Sequence, residues 1–145
     1  MTNKNNNGFS LLELLIVVAI ILIIATIAIP SLLRSRQSAN ETAAVSTIKM
    51  INTAEITYSA AAQNAYGNMN DLVTAGMMDA TMNGTKSGYT YTITLSPDRY
   101  SYTAFAVAAS GTMGRYDYYT ATDFVIRYST DSTRSPATLA GQAVR

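Results

Sequence analysis

From Leu14 to Ile29, Thr26 alone interrupts an otherwise wholly apolar run. Nothing else in the chain constrains its fold so strongly, because a run of that length must find an apolar solvent. Written as a helix at about 1.5 Å per residue, the window Phe9 to Ile29 is about 32 Å long, close to a bilayer hydrocarbon core of about 30 Å. The rest of the chain is rich in Thr, Ser, Ala, Asn and Tyr and carries nearly all the charge. One end belongs in lipid and the other in water. A secretory signal peptide is the rival reading. Lys4 supplies a charged start, but Thr26-Ile27-Ala28 is a poor version of the small-residue cleavage site such a peptide needs.

Glu13 is out of place at the edge of this apolar segment. A charge at the centre of a lipid-facing helix costs about 2.5 to 3.5 kcal/mol, and less toward its end. A chain cut just before Phe9 would place a new α-ammonium about one turn from the Glu13 side chain, in its own helix or on a neighbour. At about 4 Å and an effective dielectric near 20 such a pair is worth about 4 kcal/mol, enough to offset the burial. A lone Glu in this position therefore predicts both proteolysis and packing against other copies.

Lys4, the stretch Gly8-Phe9-Ser10-Leu11-Leu12-Glu13-Leu14-Leu15-Ile16-Val17-Val18-Ala19-Ile20-Ile21, and Pro30 resemble the start of a type IV prepilin or a type II secretion pseudopilin. The resemblance implies a polar leader, residues 1–8, removed between Gly8 and Phe9 by a membrane peptidase that also N-methylates Phe9. It implies that Glu13 neutralises the Phe9 amine of an adjacent subunit, and that residues 9–33 serve first as a membrane anchor and then as filament core. The implied partners are the prepilin peptidase and methyltransferase, other copies in a helical homopolymer, other pilins, an inner-membrane assembly platform and membrane lipid. The implied locations are the inner membrane, single-pass with a periplasmic head, and then an extracellular pilus or a periplasmic pseudopilus. Lys4 and the initiator amine on one side balance Arg34 and Arg36 on the other, so this orientation rests on the resemblance and not on the positive-inside count.

Pro30 removes one helical hydrogen bond and is expected to kink or loosen the helix where it leaves the lipid; in pilins the equivalent proline marks a segment that can melt on assembly. Residues 34–62 continue the same helix. Ala44, Val45, Ile48, Ile51, Ala54 and Tyr58 recur at three- and four-residue spacing, an amphipathic stripe on which a head can pack. Val45, Ile48, Ile51 and Tyr58 are the expected packing residues. Arg34, Arg36, Asn40, Glu41, Lys49 and Asn52 are expected on a wet face or at subunit contacts, and Lys49 and Glu55 solvated or ion-paired.

Residues 63–145 read as the head. Asn70 is a candidate cap for a short helix over Asp71 to Ala75 that Gly76 ends. Leu72, Val73, Met77 and Met78 are expected to pack it on a sheet; a ligand-binding Met patch is the alternative. Asn83-Gly84 and Ser87-Gly88 are turn signals, and Tyr89, Tyr91, Ile93 and Leu95 alternate with threonines as a strand does. Pro97-Asp98 turns into a second strand, Tyr100 to Ala108; Arg115 to Thr120 and Phe124 to Ser129 form a second hairpin. The expected fold is α+β, a pilin fold: one long N-terminal helix, its first half transmembrane, on a small four-stranded antiparallel sheet. So small a head without a disulfide needs the helix stripe for its core. Ser129 to Arg145 is expected to be a mobile loop.

The chain contains no Cys and no His, which excludes disulfides, zinc-thiolate sites, thiol nucleophiles and the commonest general base. Lys plus Arg number 10 against 9 for Asp plus Glu, so charge gives no reason to expect nucleic acid as a partner. Arg-Tyr pairs at residues 99–100, 115–116 and 127–128 suggest base stacking, but neighbouring strand residues face opposite ways, and Tyr on one side with Arg on the other is the plainer account. No spacing among the 10 Tyr demands electron transfer. Asp117, Asp123 and Asp131 could contribute to a calcium site, though the dense glycine-containing loop is missing. No nucleophile elbow or phosphate loop is present, and neither an enzyme nor a cofactor is expected. The reading is a structural pilus subunit for adhesion, twitching motility or DNA uptake; the alternatives are a secretion pseudopilin and an anchored periplasmic binding module.

Overall fold

The computed structural model describes residues 9–129 and 142–144. Helix α1, Leu11–Ala61, contains Pro30 and is helical through it. The chain divides into two compact units at Ser35/Arg36.

In the first unit α1 is long and apolar enough to cross a membrane, and 0% of its most apolar window is buried. Leu14, Ile16, Ile20, Ile24 and Ile27 are all exposed. Pro30 has no N–H for the carbonyl four residues back, that of Thr26. The Thr26 hydroxyl is itself engaged, donating to the Ile23 carbonyl at 2.7 Å.

The second unit is the head with its share of α1. Helix α2, Met69–Thr74, follows, then a 3-10 turn at Ala80–Asn83. A single antiparallel meander has the strands β1 (Thr85–Lys86), β2 (Tyr89–Leu95), β3 (Tyr102–Ala108), β4 (Tyr118–Ala121), β5 (Arg127–Tyr128) and β6 (Gln142–Ala143), adjacent in chain order. The sheet thus has six strands where four were expected. The two additions, β1 and β6, are two residues each, too short to show the alternation that betrays a strand in sequence. Strand β6 pairs with β5 within the stretch expected to be a mobile loop; residues 130–141 and 145 of that stretch lie outside the described residues. Three strands also start later than read, at Tyr102, Tyr118 and Arg127.

Ser87-Gly88 joins β1 to β2 with φ of 51° and 75°, the mirror-image turn that suits the strand twist. Asn68, not Asn70, caps α2: its side chain accepts from Asp71 N–H and the Asp71 carboxylate accepts from Asn68 N–H, a reciprocal capping box. Gly76, at φ 71°, follows the helix end as expected.

One core cluster joins α1 to the sheet: Ala44, Ile48 and Ile51 from the helix, Leu72 from α2, Tyr89 and Tyr91 from β2, and Tyr102, Ala104 and Ala106 from β3. Ile48 and Ile51 are fully buried, and Val45 and Tyr58 pack at the margin of the cluster. Leu72 and Met78 are buried and Val73 and Met77 lie partly buried against the same cluster, so the methionines have a packing role. The small residues of β3 leave space for larger side chains opposite them.

Candidate functional site

The candidate site is α1 itself, and its first turn is organised by two side chains. Ser10 precedes the helix; its hydroxyl oxygen accepts from the Leu12 N–H at 3.3 Å, and Glu13 Oε2 accepts from the Ser10 N–H at 3.0 Å. These contacts satisfy helix-start donors that have no partner inside the helix. The Ser-x-x-Glu spacing that signals such a cap is present in the sequence, yet Glu13 is easily read for its charge alone. Phe9, 78% exposed, stands one residue before the cap; Gly8 and Lys4 lie outside the described residues. The Glu13 carboxylate is therefore at the very end of the apolar segment, where the partial positive charge of the helix start favours an anion.

Further along, the polar residues of α1 behave differently from expectation. Glu41, Asn52 and Glu55, read as wet or solvated, are buried at 8%, 7% and 0% exposure. The buried stripe runs through Glu41, Ala44, Ile48, Ile51 and Glu55, which is the same three-and-four spacing as the apolar residues. The period itself could have placed the two glutamates, had polarity not excluded them. Lys49, Arg34 and Arg36 are exposed as expected.

Polar residues along this half of α1, buried and half-buried, fasten pieces of the head. Gln37 donates to the Gly111 carbonyl at 2.6 Å and Asn40 to the Met113 carbonyl at 2.8 Å. Glu41 accepts from the Arg115 N–H at 2.8 Å and from its guanidinium at 3.2 Å. Asn52 donates to the Thr120 hydroxyl and the Phe124 carbonyl, and accepts from the Tyr102 hydroxyl at 2.8 Å. Glu55 Oε2 accepts from the Gly67 N–H at 3.0 Å. Burial raises the Glu55 carboxyl to about 7, against the lowering effect of the Gly67 N–H; Asp71 pushes it further up and Arg99 pulls it down. Burial also pushes Tyr118 up to about 12 and raises Tyr89 and Tyr102, so these phenols keep their protons at neutral pH.

The Arg-Tyr pairs do not form a stacking platform. Arg99 binds Asp71, Arg115 binds Glu41, and Arg127 binds Asp123. Their tyrosines differ from one another: Tyr100 is exposed, while Tyr116 and Tyr128 are half-buried with rings 5.1 Å apart. Asp117 is buried and accepts from the Ala108 N–H, whereas Asp123 is taken by Arg127. Among the described residues no group of three or more metal-ligating side chains converges; Asp131 lies outside them.

Residues 3–29 match the family model described as the prokaryotic N-terminal methylation motif. The type IV wide pilus major component PilA4 of Thermus thermophilus is 56% identical over 39 residues, which are 27% of this chain and 30% of that protein. No solved structure matches the chain. The chain thus carries a prokaryotic N-terminal methylation motif over residues 3–29, at the start of an exposed apolar helix long enough to span a membrane, and spans less than a third of the pilus component it resembles.

Proposed function

We propose that this chain is the precursor of a type IV pilus-like filament subunit. Residues 1–8 are the leader; a prepilin peptidase cuts between Gly8 and Phe9 and methylates the new Phe9 amine. Residues 9–33 hold the subunit in the inner membrane, with residues 34–62 and the head, 63–145, on the periplasmic side. On assembly the same helix leaves lipid for the filament interior, packing against other copies and other pilins on an inner-membrane platform.

The observation that carries this reading is the matched N-terminal segment on a helix whose apolar side chains have no cover from their own chain. Lipid and neighbouring helices are the two apolar environments that can cover them. Glu13 uses Oε2 on its own Ser10 N–H, which leaves Oε1 for the Phe9 ammonium of an adjacent subunit. Pro30 marks where the helix can loosen during transfer. The role is mechanical and needs no catalytic group. The identity to a pilus component over 39 residues supports a filament subunit.

Mass spectrometry of the N-terminus, from membranes and from sheared surface material, tests the proposal. An N-methylated Phe9 terminus in the sheared fraction is expected. The same terminus confined to membranes favours the pseudopilin; an intact Met1 or a cut near Ala28, in cells with an active prepilin peptidase, overturns the reading.

A further inference from the structure

Glu55 is a buried acid that filament assembly does not use. Its side chain is fully enclosed; Oε2 has one partner, the Gly67 N–H, and Oε1 has none. Among the described residues no cation pairs with it. Arg99, whose charge reaches it, is bound to Asp71. A carboxylate held this way has one hydrogen bond in place of a hydration shell, whereas a neutral carboxyl in the same place loses far less.

The segment that closes over Glu55 is held by the buried Met69 and Leu72, by Tyr66 against the Tyr102 ring, and by polar contacts. Tyr66 N–H donates to the Arg99 carbonyl at 2.8 Å and Arg99 Nε donates to the Tyr66 carbonyl at 3.3 Å. Gly67 N–H reaches Glu55, Asp71 reaches the Arg99 guanidinium, and Leu72 is buried. The fit at Gly67 is tight: a Cβ there would lie 3.1 Å from Asp71 Cβ and 3.2 Å from the Tyr58 ring. Opening this segment is thus the direct way to let water reach Glu55.

We propose that Glu55 is a proton-controlled latch: in its neutral form it holds residues 66–74 closed against α1, and in its ionised form it loosens that segment. The charged and titratable groups that act on it are Asp71 on α2, Arg99 in the β2–β3 turn and Tyr102 on β3, with Tyr58 against Gly67 and Tyr66 against Tyr102 just beyond. Burial raises the Tyr102 phenol, which keeps its proton near neutral pH. Asp71 is already engaged by Asn68 N–H and Arg99. Glu55, fully enclosed and with Oε1 unpartnered among the described residues, is the group to which the titration is assigned.

The direction follows from linkage. Burial in the closed segment raises the Glu55 carboxyl to about 7 from the ordinary 4.5, the value toward which exposure to water on opening returns it. The closed state is therefore most favoured below the lower value, loses stability as pH rises through this window, and levels off above it.

The test is amide hydrogen exchange on the full chain in detergent micelles at pH 5, 6, 7 and 8, corrected for intrinsic exchange. The opening constant of residues 66–74 is expected to rise by up to about tenfold per pH unit and then flatten, while β2 stays flat. Glu55→Gln, isosteric and neutral, should show no rise. An opening constant unchanged from pH 5 to 8 in the unaltered protein overturns the proposal, as does an equal rise in Glu55→Gln. Should that variant fail to fold, the carboxyl carbon shift of Glu55 in the unaltered protein decides: a midpoint at the ordinary glutamate value overturns the latch, and one well above it supports it.

Discussion

Glu13 and Glu55 are carried by the same helix, and both stand where a carboxylate is costly. Glu13 closes an apolar arm whose side chains are exposed in the single chain, so whatever compensates it beyond its own first turn must come from outside. Glu55 is sealed inside the head, with one N–H and no cation among the described residues. The arm leaves its apolar side chains exposed, whereas the head covers its core with its own chain and encloses a carboxyl among it. An acidic residue in a helix thus has no fixed meaning; its surroundings decide whether it recruits a partner or a proton.

The largest separation of the two regions should come from Glu13→Leu. If Glu13 acts between subunits, surface filament should fall at least about tenfold, the change expected from losing roughly 1.4 kcal/mol or more of pairing. The melting of the head should not move, and filament quantified from sheared cells at unchanged subunit level is the check. Normal filament would break the assignment of Glu13 to assembly.

Ile51→Ala attacks the other region. It removes a fully buried side chain from the helix–sheet core and should cost about 2 to 5 kcal/mol of head stability. Denaturant unfolding of the head in micelles measures it, and membrane anchoring should be unaffected. Asn52→Leu should cost about 1 to 3 kcal/mol, because the Tyr102 hydroxyl and the Phe124 carbonyl lose their shared partner. Arg127→Ala should be the mildest, within about 1 kcal/mol, since its partner Asp123 is exposed. A cost for Arg127→Ala equal to that of Asn52→Leu would show that the short strand β5 carries more of the head than its length suggests.

Much of the fold was legible from the residues. The long helix, the Ile48 and Ile51 stripe, the Tyr89–Leu95 strand and the Ser87-Gly88 turn all follow from local pattern. Strands β1 and β6 did not, because two residues show no period. The cap of α2 was displaced by two residues because Asn68 and Asn70 are equally good caps alone, and only Asn68 has Asp71 in position to return the hydrogen bond. The candidate site divided in the same way. The apolar arm with Glu13 could be read directly, while the burial of Glu41, Asn52 and Glu55 could not.

By itself the sequence determined that this chain must place one end in an apolar environment and that Glu13 stands at its edge, because an unbroken apolar run admits no other solvent. Only the tertiary structure decided where the head's polar groups go. Residues far apart in the chain, Asn52 with Tyr102 and Phe124, Glu41 with Arg115, and Glu55 with Gly67, meet through folding. Whether a polar side chain on a helix stripe is wet or buried depends on what packs over it.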